Sequence, residues 1–309
     1  QLMNLSNCEW DSDLLEIFQI SNNMLPKIQN SFEEFGRTKN LGFLPDGIPI
    51  TGILGDQQSA LFGQAGTHEG DMKCTYGTGA FMLLNTGNNK IYSNGGLLTT
   101  VAYKHNDRIQ YALEGSSYIA GAAVQWLRDN LKIIKSAPEI NDLANNIKNL
   151  EELKNILFLP FFTGIGSPYW KSEAKAAIIG LTRDSNKSHL AMACLEGIAL
   201  SINDLIMTMR NDLNKDIDSI KVDGGAATNE LLLNIQSSVS KLNIIRPKII
   251  ETTAFGAGLA AAIGSNLFDI QNIKNLWTAE KTFAPNTENF DYYQQKKQLW
   301  TNTIERMYL

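Results

Sequence analysis

Gly55-Asp56-Gln57-Gln58-Ser59-Ala60-Leu61-Phe62-Gly63 and, a little further on, Thr75-Tyr76-Gly77-Thr78-Gly79 carry the densest information in this chain. The apolar run ahead of them, Ile48 to Leu54, has the length and β-branched content expected of a buried strand. It stops at Gly55, where a carboxylate stands followed by two amides, and Ser59 to Gly63 reads as a short helix packed back on the sheet. A second strand-like segment is broken by Gly77-Thr78-Gly79 before Phe81-Met82-Leu83-Leu84 resumes. Glycines so placed let main-chain N–H groups come close to an anion, and Thr78 adds a hydroxyl. A carboxylate near a phosphate cradle is what phosphoryl transfer to an alcohol requires. Each part has a plainer explanation: an Asp after a strand commonly caps a helix, and Gly-Thr-Gly commonly turns a hairpin. Their conjunction, with the segments downstream, is harder to explain as turns.

The bulk numbers narrow the field. A length of 309 residues suits one large domain or two moderate ones, and 43% hydrophobic with 19% charged residues is ordinary globular composition. The net charge of −5 supplies no basic stripe, which argues against nucleic-acid or anionic-membrane partners. Lys296-Lys297 reads as a solvated helix face. Cys8, Cys74 and Cys194 lie far apart, as do His68, His105 and His189, so no metal spacing is present and a reducing compartment is suggested. No apolar stretch reaches the ~18 residues of a membrane span. The start at Gln1, inside ordinary globular sequence, suggests a piece of something longer.

Upstream, Asp11-Ser12-Asp13-Leu14-Leu15 is a capped helix start, and Asn30 to Asn40 is a surface connection. Downstream, Leu97 to Tyr103 and Ile109 to Glu114 form a hairpin turning at Asn106-Asp107. A helix from Ile119 to Leu131 puts Gly121 and Gln125, four apart, on one face; the glycine implies close approach by a neighbouring backbone or a ligand. A polar helical segment spans Pro138 to Leu153, and a buried strand follows from Ile156 to Phe162. From Ser188 to about Asn211, the stripe Leu190, Cys194, Ile198, Ile202, Leu205 and Met209 makes a long core helix. Ile220 to Asp223, then Gly224-Gly225, then a helix from Glu230 to Leu242, is a strand, turn and helix N-terminus suited to an anion or nucleotide. Ile244 to Pro247 is another strand, and Glu251 to Gly258 opens a small-residue helix able to lie close to a neighbour. Residues 266–309 finish in helices, the last from about Tyr292 to Met307.

In this order the segments resemble the carboxyl-terminal domain of the FGGY carbohydrate kinases. The matching stretches are Ile53 to Gln64, Thr75 to Gly79, Ala112 to Gly115, Gln125 to Asp129 and Val222 to Ala226. The resemblance implies an α/β fold of the actin-like ATPase, ribonuclease-H-like kind, with a central mixed sheet flanked by helices. It implies that residues 1–309 are the ATP-binding domain, with 1–47 leading in from an amino-terminal domain absent here. The cofactors implied are ATP and Mg2+, the location cytoplasmic, and the acceptor glycerol, with xylulose- or gluconate-type substrates as the alternative. A non-catalytic nucleotide-binding module is the alternative of another class. By resemblance Asp56 is the base; Asp56 and Gln57 hydrogen-bond the acceptor, and Phe81 packs on its carbons. Thr78, Gly121, Gln125, Gly225 and Asn229 surround the nucleotide, and no residue is assigned as a metal ligand. The fragment alone is expected to be inactive, and the sequence leaves open whether a homo-oligomer forms. Three departures stand out: Gly47 occupies a position where some relatives carry a regulatory Arg, Lys171 follows Tyr169-Trp170 where an acid is usual, and Cys194 breaks a second family signature.

Overall fold

The computed structural model describes residues 2–309, and a seven-stranded mixed sheet runs through it. Its strands are β1 (Met72–Tyr76), β2 (Ala80–Gly87), β3 (Leu98–His105), β4 (Arg108–Ser117), β5 (Ser219–Asp223), β6 (Asn243–Pro247) and β7 (Ala279–Phe283). Across the sheet they run β7-β6-β5-β1-β2-β4-β3. β5 lies parallel to both β1 and β6, and the remaining neighbours are antiparallel. Two hairpins account for the antiparallel half. Gly77-Thr78-Gly79 joins β1 to β2 in the register Tyr76–Ala80 and Thr75–Phe81. Asn106 and Asp107, at φ 48° and 60°, join β3 to β4 in the left-handed turn that these two residue types tolerate best.

Strand alternation sends side chains to both faces, and each face is covered by helices. The helices are α1 (Asp56–Gly63), α2 (Gly121–Asp129), α3 (Lys187–Leu213), α4 (Glu230–Ser240), α5 (Thr252–Gly264) and α6 (Phe290–Tyr308). Cys74, Tyr76, Met82 and Leu84 face the larger core, shared with α2, α3, α4 and α6. Leu83 and Ala112 face a smaller core closed by Leu61 and Phe62 of α1 and Leu259 and Ala260 of α5. α1 and α5 touch through glycines: a methyl on Gly63 would lie 2.1 Å from the Thr252 carbonyl, and one on Gly256 1.9 Å from that of Ser59. α3 begins in a capping box made by Asn186 and His189 and ends on left-handed Asn214. Its most apolar window is long enough to cross a membrane but is 83% buried inside the protein, as befits a core helix.

Four expectations are corrected. Residues 48–54 do not form a buried sheet strand: only Pro49–Ile50 pairs, with Gly36–Arg37, and both residues are exposed. Pro49 has no N–H to offer a ladder, and the chain beyond it lies extended against α5, with Thr51 Oγ1 donating to the Ala261 carbonyl at 2.7 Å. The tail is not all helix, since Ala279–Phe283 adds β7 as an antiparallel edge strand whose exposed residues gave little hydrophobic signal. Lys296 is not on a solvated face: it is 1% exposed and paired with Glu196 at 3.0 Å. The strand predicted from 156 to 162 is reduced to Leu157–Leu159, paired with Ala177–Ile179.

Candidate active site

The hairpin tip organises the site because its carbonyls are already spoken for. Gly77 O accepts from the Gly121 N–H at 3.0 Å, and Thr78 O accepts from Ala120 and Ala122 at 2.8 and 3.1 Å. The first turn of α2 is thereby docked on the tip. A methyl on Gly121 would lie 2.7 Å from Gly77 O, so close packing by itself requires glycine there. Among the described residues, the N–H groups of Thr78 and Gly79 find no main-chain acceptor. They are the tip's free donors.

Beside the tip, on the larger-core face, is a cavity of about 420 Å3. Its walls include Thr78 from the tip and Gly121, Gln125 and Arg128 from one face of α2. Gly225 and Asn229 close it from the turn after β5. All five residues assigned to the nucleotide therefore line one cavity. Gly225 offers open space, since a methyl there would meet nothing within 4 Å. Asn229 is partly committed, because its side-chain oxygen caps α4 by accepting from the Leu232 N–H at 3.0 Å. Pro138 and Asn141, from the polar helical segment after α2, and Ile198 of α3 add to the wall.

The residues that the family resemblance assigns to an acceptor form a second group, on the smaller-core face. Asp56 is the first residue of α1, capped by Gly55, and is exposed. Its Oδ1 accepts from the Gln57 N–H at 2.8 Å, and its Oδ2 from Gln57 Nε2 at 3.4 Å. A carboxylate in the first helical turn is favoured by the helix dipole. Phe81 is 37% exposed at the head of β2, opposite Thr75. Asp56, Gln57 and Phe81 are not part of the cavity wall. The two groups meet around the end of the sheet, at the tip: Thr75 belongs to the acceptor-side face, and Thr78 lies three residues further on, a span of about 10 Å at most.

Sequence reading missed what ties the acceptor group together. Lys73, 0% exposed, projects from β1 onto the α1 face and donates to Gln57 Oε1, to Thr75 Oγ1 at 3.0 Å and to the Phe81 carbonyl at 3.4 Å. Burial pushes its ammonium pKa down, opposed by nearby negative groups, Asp223 foremost and Glu114 and Asp56 among them. Burial likewise raises the Glu114 carboxyl, which Lys73 pulls back. Asp223, 1% exposed at the end of β5, accepts from Gln64 Nε2 at 2.9 Å and from Thr252 Oγ1 at 2.5 Å. The available signal was a single lysine inside an otherwise apolar central strand, a placement that costs too much to be idle.

The model of the FGGY family of carbohydrate kinases, C-terminal domain, matches residues 72–265, well over half of the chain. The chain belongs to the FGGY family of carbohydrate kinases. The family's N-terminal domain model also matches residues 1–63 of this FGGY chain. Among curated FGGY relatives, the glycerol kinase of Bdellovibrio bacteriovorus is 45% identical over 99% of the chain, and that of Myxococcus xanthus 44% identical over 99%. The chain spans 61% of the length of each. A glycerol kinase structure from Plasmodium falciparum, solved with ADP, superposes on all of the chain with a TM-score of 0.90 at 35% identity, the chain covering 61% of it. A xylulose kinase structure from Lactobacillus acidophilus, at 22% identity, superposes on 99% of the chain and 63% of its own length with a TM-score of 0.87. The expected fold, a central mixed sheet flanked by helices in the actin-like ATPase manner, is the one observed.

Proposed function

We propose that this chain is the ATP-binding part of an enzyme that phosphorylates glycerol to sn-glycerol 3-phosphate. Residues 1–47 lead, in this reading, into that part from a domain that precedes it. The observation that carries the proposal is the arrangement around the hairpin tip. An exposed carboxylate with its partner amide and an aromatic face lies on one side, and a nucleotide-sized cavity with free main-chain donors lies on the other. Similarity to glycerol kinases at 45% identity favours glycerol over larger polyols as the acceptor.

Each residue then has a task. The nucleotide base and ribose occupy the cavity between α2 and the Gly225–Asn229 turn, and the phosphates reach the Thr78 and Gly79 N–H groups. Gln57 and Asp56 hold the acceptor hydroxyls, and Phe81 packs against the carbon chain. Asp56 accepts the proton of the primary hydroxyl as that oxygen bonds to the γ-phosphorus; the bond from phosphorus to the β,γ-bridging oxygen breaks and ADP leaves. Mg2+ would arrive on ATP, held there by phosphate oxygens and water, which leaves Asp56 free to take the proton. The ion would offset charge that few cations of this chain are placed to meet.

Replacing Asp56 by Asn in the full-length protein should lower turnover on glycerol and Mg-ATP by roughly 100- to 10,000-fold while leaving ADP affinity unchanged. Turnover within threefold of the parent would remove Asp56 from the role. Assaying glycerol beside xylulose and gluconate fixes the acceptor class.

A further inference from the structure

We infer that Lys73 is a positioning residue that fixes the polarity of the Gln57 amide, so that the acceptor site presents N–H donors beside the Asp56 carboxylate. The inference rests on the reading of Asp56 and Gln57 as acceptor-binding groups and goes beyond it, since Lys73 itself touches no substrate.

An ammonium has three donors and no acceptor, and Lys73 has three acceptors within reach: Gln57 Oε1, Thr75 Oγ1 and the Phe81 carbonyl. Two of these belong to the rigid β1–β2 ladder, Thr75 standing opposite Phe81, so the ammonium is held by the sheet and not by α1. The third is the carbonyl end of the Gln57 side chain. A glutamine amide is nearly symmetric in shape and can turn over at little cost when its two ends meet equivalent partners. Here they do not. Turning the amide over would aim its NH2 group at a buried ammonium, two donors face to face with no water to separate them. The oxygen is therefore locked inward and the NH2 group outward, where Nε2 lies 3.4 Å from Asp56 Oδ2.

The consequence is a defined hydrogen-bond code. Asp56 only accepts and Gln57 only donates, so a hydroxyl between them gives its proton toward Asp56 while its oxygen is held from the Gln57 side. That is the orientation a nucleophilic alcohol needs. The buried carboxylate of Asp223 and the half-buried one of Glu114, together with Asp56, supply the opposing charge that lets a cation remain at 0% exposure. The lysine thus sets the geometry of the site through an amide, from inside the sheet.

The test uses the full-length protein and two readouts. In the first, Lys73→Met should raise the glycerol KM about tenfold, the size of one lost oriented hydrogen bond, and leave the ATP KM within twofold. Gln57→Ala should act similarly. The double variant should be no worse than the poorer single, because both remove the same oriented donor. Full additivity, or an equal rise in the ATP KM, would overturn the inference in favour of a general structural role. The second readout needs neither a variant that folds nor any activity. In unmutated protein with 15N-labelled glutamine side chains, the Gln57 amide should relax as rigidly as the backbone, and free side-chain motion there would overturn the inference outright. A parent protein that phosphorylates no polyol would sink the functional reading instead, while the relaxation measurement still decides about Lys73.

Discussion

Two neighbouring glycines show how differently one residue type can be used. Gly224 has φ +87°, and a methyl there would lie 2.5 Å from the Tyr76 carbonyl, so it serves the chain's own geometry. Gly225 has room on every side and lines the cavity. A side chain placed at Gly225 should therefore leave the protein's stability unchanged and take volume only from whatever occupies the cavity. Gly225→Val should keep the melting temperature within a degree or two of the parent and raise the ADP dissociation constant tenfold or more, an effect worth ~1.4 kcal/mol. Calorimetric titration checks it, and an unchanged constant would move the nucleotide elsewhere. Asp204 makes a prediction about pH. Trp300 Nε1 and the Tyr169 hydroxyl donate to its Oδ2 at 2.8 and 3.1 Å, yet burial dominates and pushes its carboxyl up to about 7. An unfolded Asp titrates near about 3.9, so between those values the native state holds the extra proton. The stability this group contributes is complete below pH 4 and is lost as pH rises through 7. Asp204→Asn removes the titration, so its melting temperature relative to the parent should climb from pH 5 to pH 8. A gap independent of pH would show that the carboxyl titrates normally.

At the scale of elements, what was legible followed from pattern strength. The long stripe of α3, the alternation of β1 to β4 and the Asp223-Gly224-Gly225 turn all carried periodicity or glycine placement that only one local structure satisfies. The Ile48–Leu54 run misled because its composition is that of a strand, whereas Pro49 and contact with α5 decide its conformation. β7 was illegible because an edge strand need not be apolar. The Lys296 error is of another kind: a basic pair on a helix says nothing about which neighbour each lysine meets. Here α6 turns Lys296 inward, where Nζ donates to the Leu153 and Ile156 carbonyls at 2.5 and 2.6 Å beside Glu196 of α3, whose Oε1 accepts from the Tyr292 hydroxyl. Burial raises the Glu196 carboxyl, and Lys296 holds it down. Removing the lysine alone strands a buried carboxylate, so Lys296→Met should cost about 3–5 kcal/mol in urea unfolding. Pairing it with Glu196→Gln should cost clearly less than the two single changes added together. Simple additivity would mean that the pair holds α6 to α3 through packing alone.

For the whole molecule, the turns at Thr78 and Gly225 were legible from their glycines, and the five residues that the family resemblance gives to a nucleotide come from three separate stretches that the fold brings to one cavity. Asp56, Gln57 and Phe81 were singled out by the same resemblance, whereas the hydrogen bond that Lys73 gives Gln57 from the interior was not legible, because nothing in the sequence says which neighbour a strand lysine meets. The two groups also differ in enclosure, and that difference has a functional consequence. The cavity is walled by five segments of this chain, whereas Asp56 is exposed, Phe81 is 37% exposed, and neither belongs to that cavity's wall. Leu41, Phe43, Leu44, Ile48, Ile50 and Ile53 are also exposed in the segment leading to Asp56. Phosphoryl transfer to an alcohol in preference to water needs the acceptor held and water kept out. Binding ADP needs only the cavity. The 309-residue chain prepared alone should therefore bind ADP measurably and yet transfer no phosphate from ATP to glycerol, while the full-length protein does both. Titration with ADP and a coupled assay of both preparations decide the matter. Transfer by the isolated chain would mean that Asp56, Gln57 and Phe81 suffice without a cover. Failure to bind ADP would mean that the cavity between α2 and the Gly225 turn does not hold the nucleotide without further chain.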